Sequence, residues 1–315
     1  MKRISLAIAI LSFPVIALAQ VPALVPASAP TPVASTATQQ NNTFLRLSSD
    51  PATGDRLEAA EVTYRNPAGV TLRLVAAVHI AEKAYYQALA QNFVGDDVVL
   101  YEMIRIKGEP LPAPGEKGDH AVANLQRFLR DTLNLAYQLD EIDYRKANFV
   151  HADLDFETFE RLQSQRGESM ASLMMNSMTQ AMARGDSSGG GDSAGQLIFL
   201  LAAPDPERQM KLTLARQMQD IEAIAMGIDG PNGSVILSER NGAAIAELKQ
   251  QLALGKKKLS IFYGAAHMPD LARRVQALGF TPVSTKWHTA WDLTIRRDQP
   301  SKLQQWFGAG PTTRP

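Results

Sequence analysis

The sequence predicts an α/β fold: a mixed central sheet built from two duplicated strand–His–helix units, with a helical insertion in the middle of the chain. Three observations lead there. Leu74-Val75-Ala76-Ala77-Val78-His79 reads as a buried strand ending in histidine, followed by the helix-like run Glu82 to Phe93. Ser260-Ile261-Phe262-Tyr263-Gly264-Ala265-Ala266-His267 repeats the pattern and leads into Pro269 to Leu278. After the first unit, Val98-Val99-Leu100 forms the apolar run of a strand from Asp97 to Met103. Strand–helix–strand in that order predicts a parallel pair with a right-handed crossover.

The remaining elements follow in chain order. Glu61 to Arg65 and Val70 to Val78 are expected strands, joined by the turn Asn66-Pro67-Ala68-Gly69. Ala121 to Leu139 has helical periodicity, and Asn148 to His151 is an extended piece. Asp155 suits the N-cap of a helix through Arg166. Met170, Met174, Met178 and Met182 recur every fourth residue and share one helix face. Residues 185–195 are Gly/Ser/Asp-rich and are expected to form a flexible loop. Gln196 to Met226 is helical with a Pro-Asp-Pro break at 204–206. Gly233 opens a long helix to about Leu254, with Gly255 as its C-cap. Lys258 to Gly264 is a strand, and Pro269 sits in the first turn of the next helix. Thr281 to Thr285 and Thr289 to Ile295 are expected as two final strands.

Composition excludes several classes. Lys+Arg and Asp+Glu both number 32, so bulk charge points to no nucleic-acid partner. With no Cys there is neither a disulfide nor a thiolate metal site. Lys2 and Arg3, the apolar stretch Ile4 to Ala19 and the small-x-small site Ala17-Leu18-Ala19 read as a signal peptide over 1–19. Pro14 and the shortness of that stretch argue against a membrane anchor. No span is expected after cleavage, no Cys follows for lipid attachment, and the protein is expected to be periplasmic or secreted. Residues 20–43 are rich in Pro, Ala and Thr and form an expected disordered tether. One folded domain over 44–298, with its insertion at about 120–230, and a tail at 299–315 complete the expected organisation.

Ligands in open α/β sheets bind beyond the carboxyl ends of the strands. His79 and His267 close two such strands, and Glu102 closes a third. Two imidazoles and a carboxylate suit a divalent transition metal, Mn, Co, Zn or Fe, with open positions for water or substrate. An unpaired buried carboxylate is costly, so Glu102 needs a partner; Arg105 or Lys107 is the alternative to a metal. The second unit lacks the acid: the offset of 23 residues from His79 to Glu102 leads from His267 to Ala290. Arg240 and Asn241 are adjacent polar residues in an apolar-periodic helix, suited to a substrate carboxylate or an oxyanion. Glu239 is a candidate general base. His151 is a weaker candidate, His288 reads as structural and His120 as a surface residue. The methionine stripe reads as core or a pliable lid.

These motifs, in this order, resemble the TraB/PrgY/GumN/TIKI group, itself similar in its core to erythromycin-esterase and ChaN-like haem-binding proteins. The resemblance covers roughly Val70 to Met103 and Ser234 to Leu293. It implies that His79 and His267 are the two motif histidines, Glu102 the acid, and Arg240 and Asn241 the helix pair. One departure stands out: Ala76 occupies a position where the group has Gly. The animal TIKI members of that group look like Mn- or Co-dependent proteases, whereas PrgY and TraB members reduce the activity of a peptide pheromone. The expected function is therefore an exported metal-dependent hydrolase, a peptidase, amidase or esterase acting on a peptide or small-molecule substrate. The rival is a non-catalytic binder of a peptide or small ligand in the same pocket. Haem, with Tyr263 and the histidines as axial ligands, is a third reading.

Overall fold

A computed structural model describes residues 43–50, 54–111, 133–168, 205–219, 229 and 233–294. The signal segment 1–19, tether residues 20–42, His120, the methionine stripe, the loop at 185–195 and the tail at 299–315 lie outside them.

The chain forms a mixed α/β fold on one large sheet. Its strands are β1 (Leu45–Asp50), β2 (Gly54–Arg65), β3 (Thr71–Ala77), β5 (Val98–Tyr101), β7 (Phe149–His151), β8 (Lys258–Gly264) and β9 (Thr281–Asp292). Between β2 and β3, the Asn66 side chain accepts from Val70 N at 2.9 Å, and Gly69 takes φ +75° to close the turn. β3, β8, β5 and β7 then run parallel in that spatial order. In β8 every residue from Leu259 to Gly264 is buried, the near-continuous apolar run that a strand covered on both faces requires.

The expected β3–β5 pair is parallel but not adjacent. β8 lies between them, with Thr71 to Ala77 opposite Lys258 to Gly264 on one flank and Val98 to Tyr101 opposite Leu259 to Phe262 on the other. All three strands therefore end at one edge, with the His267 strand in the middle. The two expected final strands are one: β9 follows β2 antiparallel from Arg65↔Thr281 to Arg56↔Asp292 and absorbs two register shifts. β9 holds one flank of β2, so β1 and β3 lie end to end along the other.

Helix α1 (Lys83–Asn92) joins β3 to β5 and ties down the first histidine loop. Tyr85 OH donates to Ala76 O and Tyr86 OH to Val78 O, each at 2.7 Å. Under α1 lies a partly buried charged network. Arg73 bridges Glu61 at 2.9 Å and Asp96 at 2.5 Å, Asp96 also accepts from Ser260, and His288 meets Glu61 at 2.9 Å. Burial pushes the Glu61 carboxyl up, but its bonds to His288 and Arg73 prevail and hold it down to about 2. His288 is thus structural, as expected.

The helix expected over 121–139 does not reach Leu139. Ala136–Tyr137 is a short strand, β6, paired with β4 (Ile80–Ala81), and a single helical turn, α2 (Gln138–Glu141), follows. Residues 121–132 lie outside the described part. Helix α3 (Phe156–Arg166) starts where Asp155 accepts from Thr158 N and ends at Gly167, φ +64°. Helix α4 (Pro206–Gln219) fastens to the sheet through Arg208, which donates to Leu293 O, and Lys211, which pairs with Glu82. The expected long helix opens with a π-helical turn, Val235–Glu239, before α5 (Arg240–Ala253). After β8, the turn Ala265–His267 leads into α6 (Met268–Ala277), with Pro269 in its first turn. No helix among the described residues is long and apolar enough to cross a membrane.

Candidate functional site

The edge where β3, β8 and β5 end brings His79, Glu102 and His267 together. Gly264 is their meeting point. A Cβ built on it would lie 3.2 Å from His79 Nε2, 3.3 Å from Glu102 Oε2 and 3.7 Å from His267 Cδ2. Gly264 has negative φ, so glycine serves here for space rather than conformation. Ala76 stands in regular strand opposite Tyr263, with its methyl buried. The departure at the first motif therefore forces no unusual backbone.

Each histidine is held from behind by an amide. His267 Nδ1 is 2.7 Å from Asn241 Oδ1, and His79 Nδ1 is 2.7 Å from Gln138 Oε1. Gln138 also donates its backbone N–H to His79 O at 2.9 Å, a grip made possible by the β4–β6 pairing just before it. Its Nε2 lies 2.6 Å from Tyr144 OH. The amide contacts at Nδ1 orient both rings, and His79 Nε2 and the Cδ2 edge of His267 border the Gly264 cradle. His267 is 1% exposed, and its Nε2 has no hydrogen-bond partner. The nearest carboxylate oxygen, Glu102 Oε1, is 3.4 Å away. Burial pushes His79 below its ordinary value, against the opposing influence of Glu102.

Glu102 takes neither Arg105 nor Lys107 as its partner. Arg105 turns to the Glu109 carbonyl. Glu102 Oε1 instead accepts from Arg240 NH2 at 2.7 Å, and Oε2 accepts from Gly264 N at 2.7 Å. Burial raises this carboxyl, but Arg240 holds it well below the usual carboxylate range. Arg240 is 1% exposed and forks onto Asp153 through Nε at 2.9 Å and NH2 at 2.5 Å. Only its NH1 is unpartnered, and that atom is buried.

The π turn explains how Arg240 and Asn241 reach the interior. Ser234 caps it by accepting from Leu237 N, and Asp229 gathers both Ser234 and Ser238. α5 then presents Arg240, Asn241, Ala244, Ile245, Leu248 and Gln251 inward. These positions follow the i, i+1, i+4, i+5 repeat of one buried helix face.

Arg240 and Asn241 were expected to meet substrate; Arg240 is instead committed to Asp153 and Glu102, and Asn241 to His267 and Asp270. Glu239 does not join the cluster as a base, because its carboxylate is bonded to Arg166 at the end of α3. His151 turns Nε2 to the Met103 carbonyl at 2.6 Å. Tyr263, considered for haem, donates its hydroxyl to Ala152 O at 2.5 Å and packs edge-on against His267. The sequence reading missed Gln138, Tyr144, Asp153 and Asp270. A polar residue beside the strand-end histidine of β7 was the one available signal, and it applied to Asp153 alone.

The donor chemistry fits a divalent transition metal in two respects: His79 Nε2 and the ring edge of His267 border one cradle, and each Nδ1 contacts an amide oxygen. The third donor is less complete. A carboxylate offers about four lone-pair sites, and Glu102 has engaged one on each oxygen. Among the described residues, no group of three or more His, Asp or Glu side chains is drawn together at metal-holding distances. No family model matches the chain, and neither a curated protein nor a solved structure matches it.

Proposed function

We propose that this chain is an exported metal-dependent hydrolase that cleaves an amide or ester bond at the His79–Glu102–His267 cluster. The observation that carries the reading is the bare, buried Nε2 of His267 beside the Gly264 cradle that His79 Nε2 shares. A buried polar atom left unpartnered is costly, and a bound ligand relieves that cost.

His79 and His267 would hold the metal through Nε2, with Glu102 as the adjoining anion. A metal bound there supplies a polarised carbonyl and water of lowered pKa. The chain's own residues do the rest. Gln138 and Asn241 fix the two rings. Arg240 holds Glu102 ionised beside the cradle, where its remaining lone pairs could orient a water by accepting a hydrogen bond and its charge would complement the metal. Asp153 balances Arg240, so the site's buried charges sit in a paired network rather than alone. The motif resemblance to the TraB/PrgY/GumN/TIKI group supports the same reaction class.

The test is turnover. Purified chain, stripped and reloaded with Mn, Co or Zn, is assayed against peptide and ester libraries. The reading expects cleavage that depends on added metal and falls at least a hundredfold in H267A. Cleavage untouched by H267A sinks it.

One observation favours the rival, a non-catalytic binder of a peptide or small ligand: both Glu102 oxygens already have donors. Tight, stoichiometric retention of a ligand without turnover would select that reading.

A further inference from the structure

We propose that Asp270 is a positioning residue for His267, acting through Asn241. The facing of the Asn241 amide decides the His267 tautomer. Asn241 Nδ2 lies 2.8 Å from Asp270 Oδ2, and Asn241 Oδ1 lies 2.7 Å from His267 Nδ1. An ionised carboxylate only accepts. The amide end facing Asp270 must therefore be the NH₂, which leaves the oxygen facing the ring. An amide oxygen only accepts as well, so His267 Nδ1 must carry the hydrogen. The neutral ring then has its lone pair on Nε2, the atom without a partner. The His267 carbonyl, at 3.5 Å from the same Nδ2, is a weaker second acceptor, so the charged acceptor at the surface end of this chain dominates in setting the tautomer at its buried end.

Asp270 is itself secured. Arg274 Nε donates to Oδ2 at 2.6 Å and Arg273 NH2 to Oδ1 at 2.9 Å. These two arginines follow Asp270 by one turn of α6, on which all three ride, and α6 starts directly after His267. The same helix thus delivers the histidine and the acid that orients it. The His79 side has no such lock. Gln138 meets Tyr144, and a phenol both donates and accepts, so nothing fixes the Gln138 amide in one orientation. Of the two rings, His267 alone has its tautomer set by charge.

The inference goes beyond the proposed reaction, because the same bare Nε2 would serve metal ligation, proton transfer or ligand capture. It therefore needs a readout besides activity. The mature chain is labelled with ¹⁵N-histidine, and long-range ¹H–¹⁵N spectra are recorded in mildly alkaline buffer, where imidazoles are neutral. The His267 signals are identified by their loss in H267Q. The expected wild-type spectrum shows protonated Nδ1 and unprotonated Nε2. Asp270→Asn can both donate and accept, so it releases the lock; D270N is expected to show mixed or reversed tautomers for His267. Asp270→Glu keeps an acceptor-only group and is expected to retain the wild-type pattern. The His79 and His288 signals report in the same spectra whether each variant is folded. A wild-type His267 protonated on Nε2 overturns the proposal, even if neither variant folds. So does a folded D270N whose His267 pattern matches wild type. If the tautomer is as expected and no metal binds, the proposed reaction fails while this inference stands.

Discussion

Ala77 and Gly264 are partners across the parallel ladder of β3 and β8, and His79 and His267 follow them by two and three residues. The shared register brings both histidines to the same edge of the sheet. Because Gly264 is the residue between them, it also sets how closely they approach. A Cβ there would press on His79 Nε2 and Glu102 Oε2 at 3.2 and 3.3 Å.

Gly264→Ala should therefore damage the cluster more than the fold. Overpacking of a tight site costs about 1–3 kcal/mol. Chemical denaturation should show a loss in that range, while transition-metal affinity falls at least tenfold. Unchanged affinity in G264A would mean that the cradle is not the binding point.

The Arg240 ion pairs give a second expectation. Removing one partner of a buried pair leaves an uncompensated charge, at a cost of about 3–5 kcal/mol. Arg240→Met strands both Glu102 and Asp153 and should reach that range in urea unfolding. The double variant E102Q/R240M should recover part of the loss, because one of the stranded charges is gone. A single variant within about 1 kcal/mol of wild type would show that the pairs are not buried as described.

Acid should unfold the protein through several groups with the same sign. Glu61 is held down to about 2, below its ordinary 4.5. A carboxylate with a depressed folded value stabilises fully above the unfolded value, and that contribution is lost as pH falls through the folded one. The loss from Glu61 falls between about pH 4.5 and 2 and amounts to roughly 3 kcal/mol. Glu102, also depressed, adds in the same direction. His79 is depressed too: the unfolded chain takes up its proton first, so acidification below about 6.5 again favours unfolding. Urea melts across this range should steepen toward acid, and Glu61→Gln should flatten the lower part of the curve. Asp96 in the same network is raised by burial and opposes this trend, so equal pH profiles for E61Q and wild type are the result that would contradict the Glu61 pairing.

Much of this arrangement was legible in the sequence, because its signals are local. β8 is Lys258–Gly264 as read, Asp155 caps α3 as read, and the 66–69 turn falls where Asn-Pro-Ala-Gly placed it. Arg240 and Asn241 announced themselves as polar residues on an apolar face. What was not legible depends on contacts distant in sequence. The insertion of β8 between β3 and β5 is a choice of partner, and no residue in those strands encodes it. β9 looked like two strands because its charged and aromatic middle breaks the alternation, yet β2 pairs with it throughout. Gln138, Asp153 and Asp270 carry ordinary polar side chains whose work is defined only by what lies opposite them. The contacts of Arg240 and Asn241 were hidden for the same reason: their partners, Asp153 and Asp270, come from other segments.

The most direct test of the central claim is a calorimetric titration of metal-stripped chain with Mn, Co and Zn, repeated on the double variant H79A/H267A. The account predicts one equivalent bound per chain by at least one of these metals, and no binding to the double variant. Absence of binding to the native chain, or equal binding to both proteins, would contradict it.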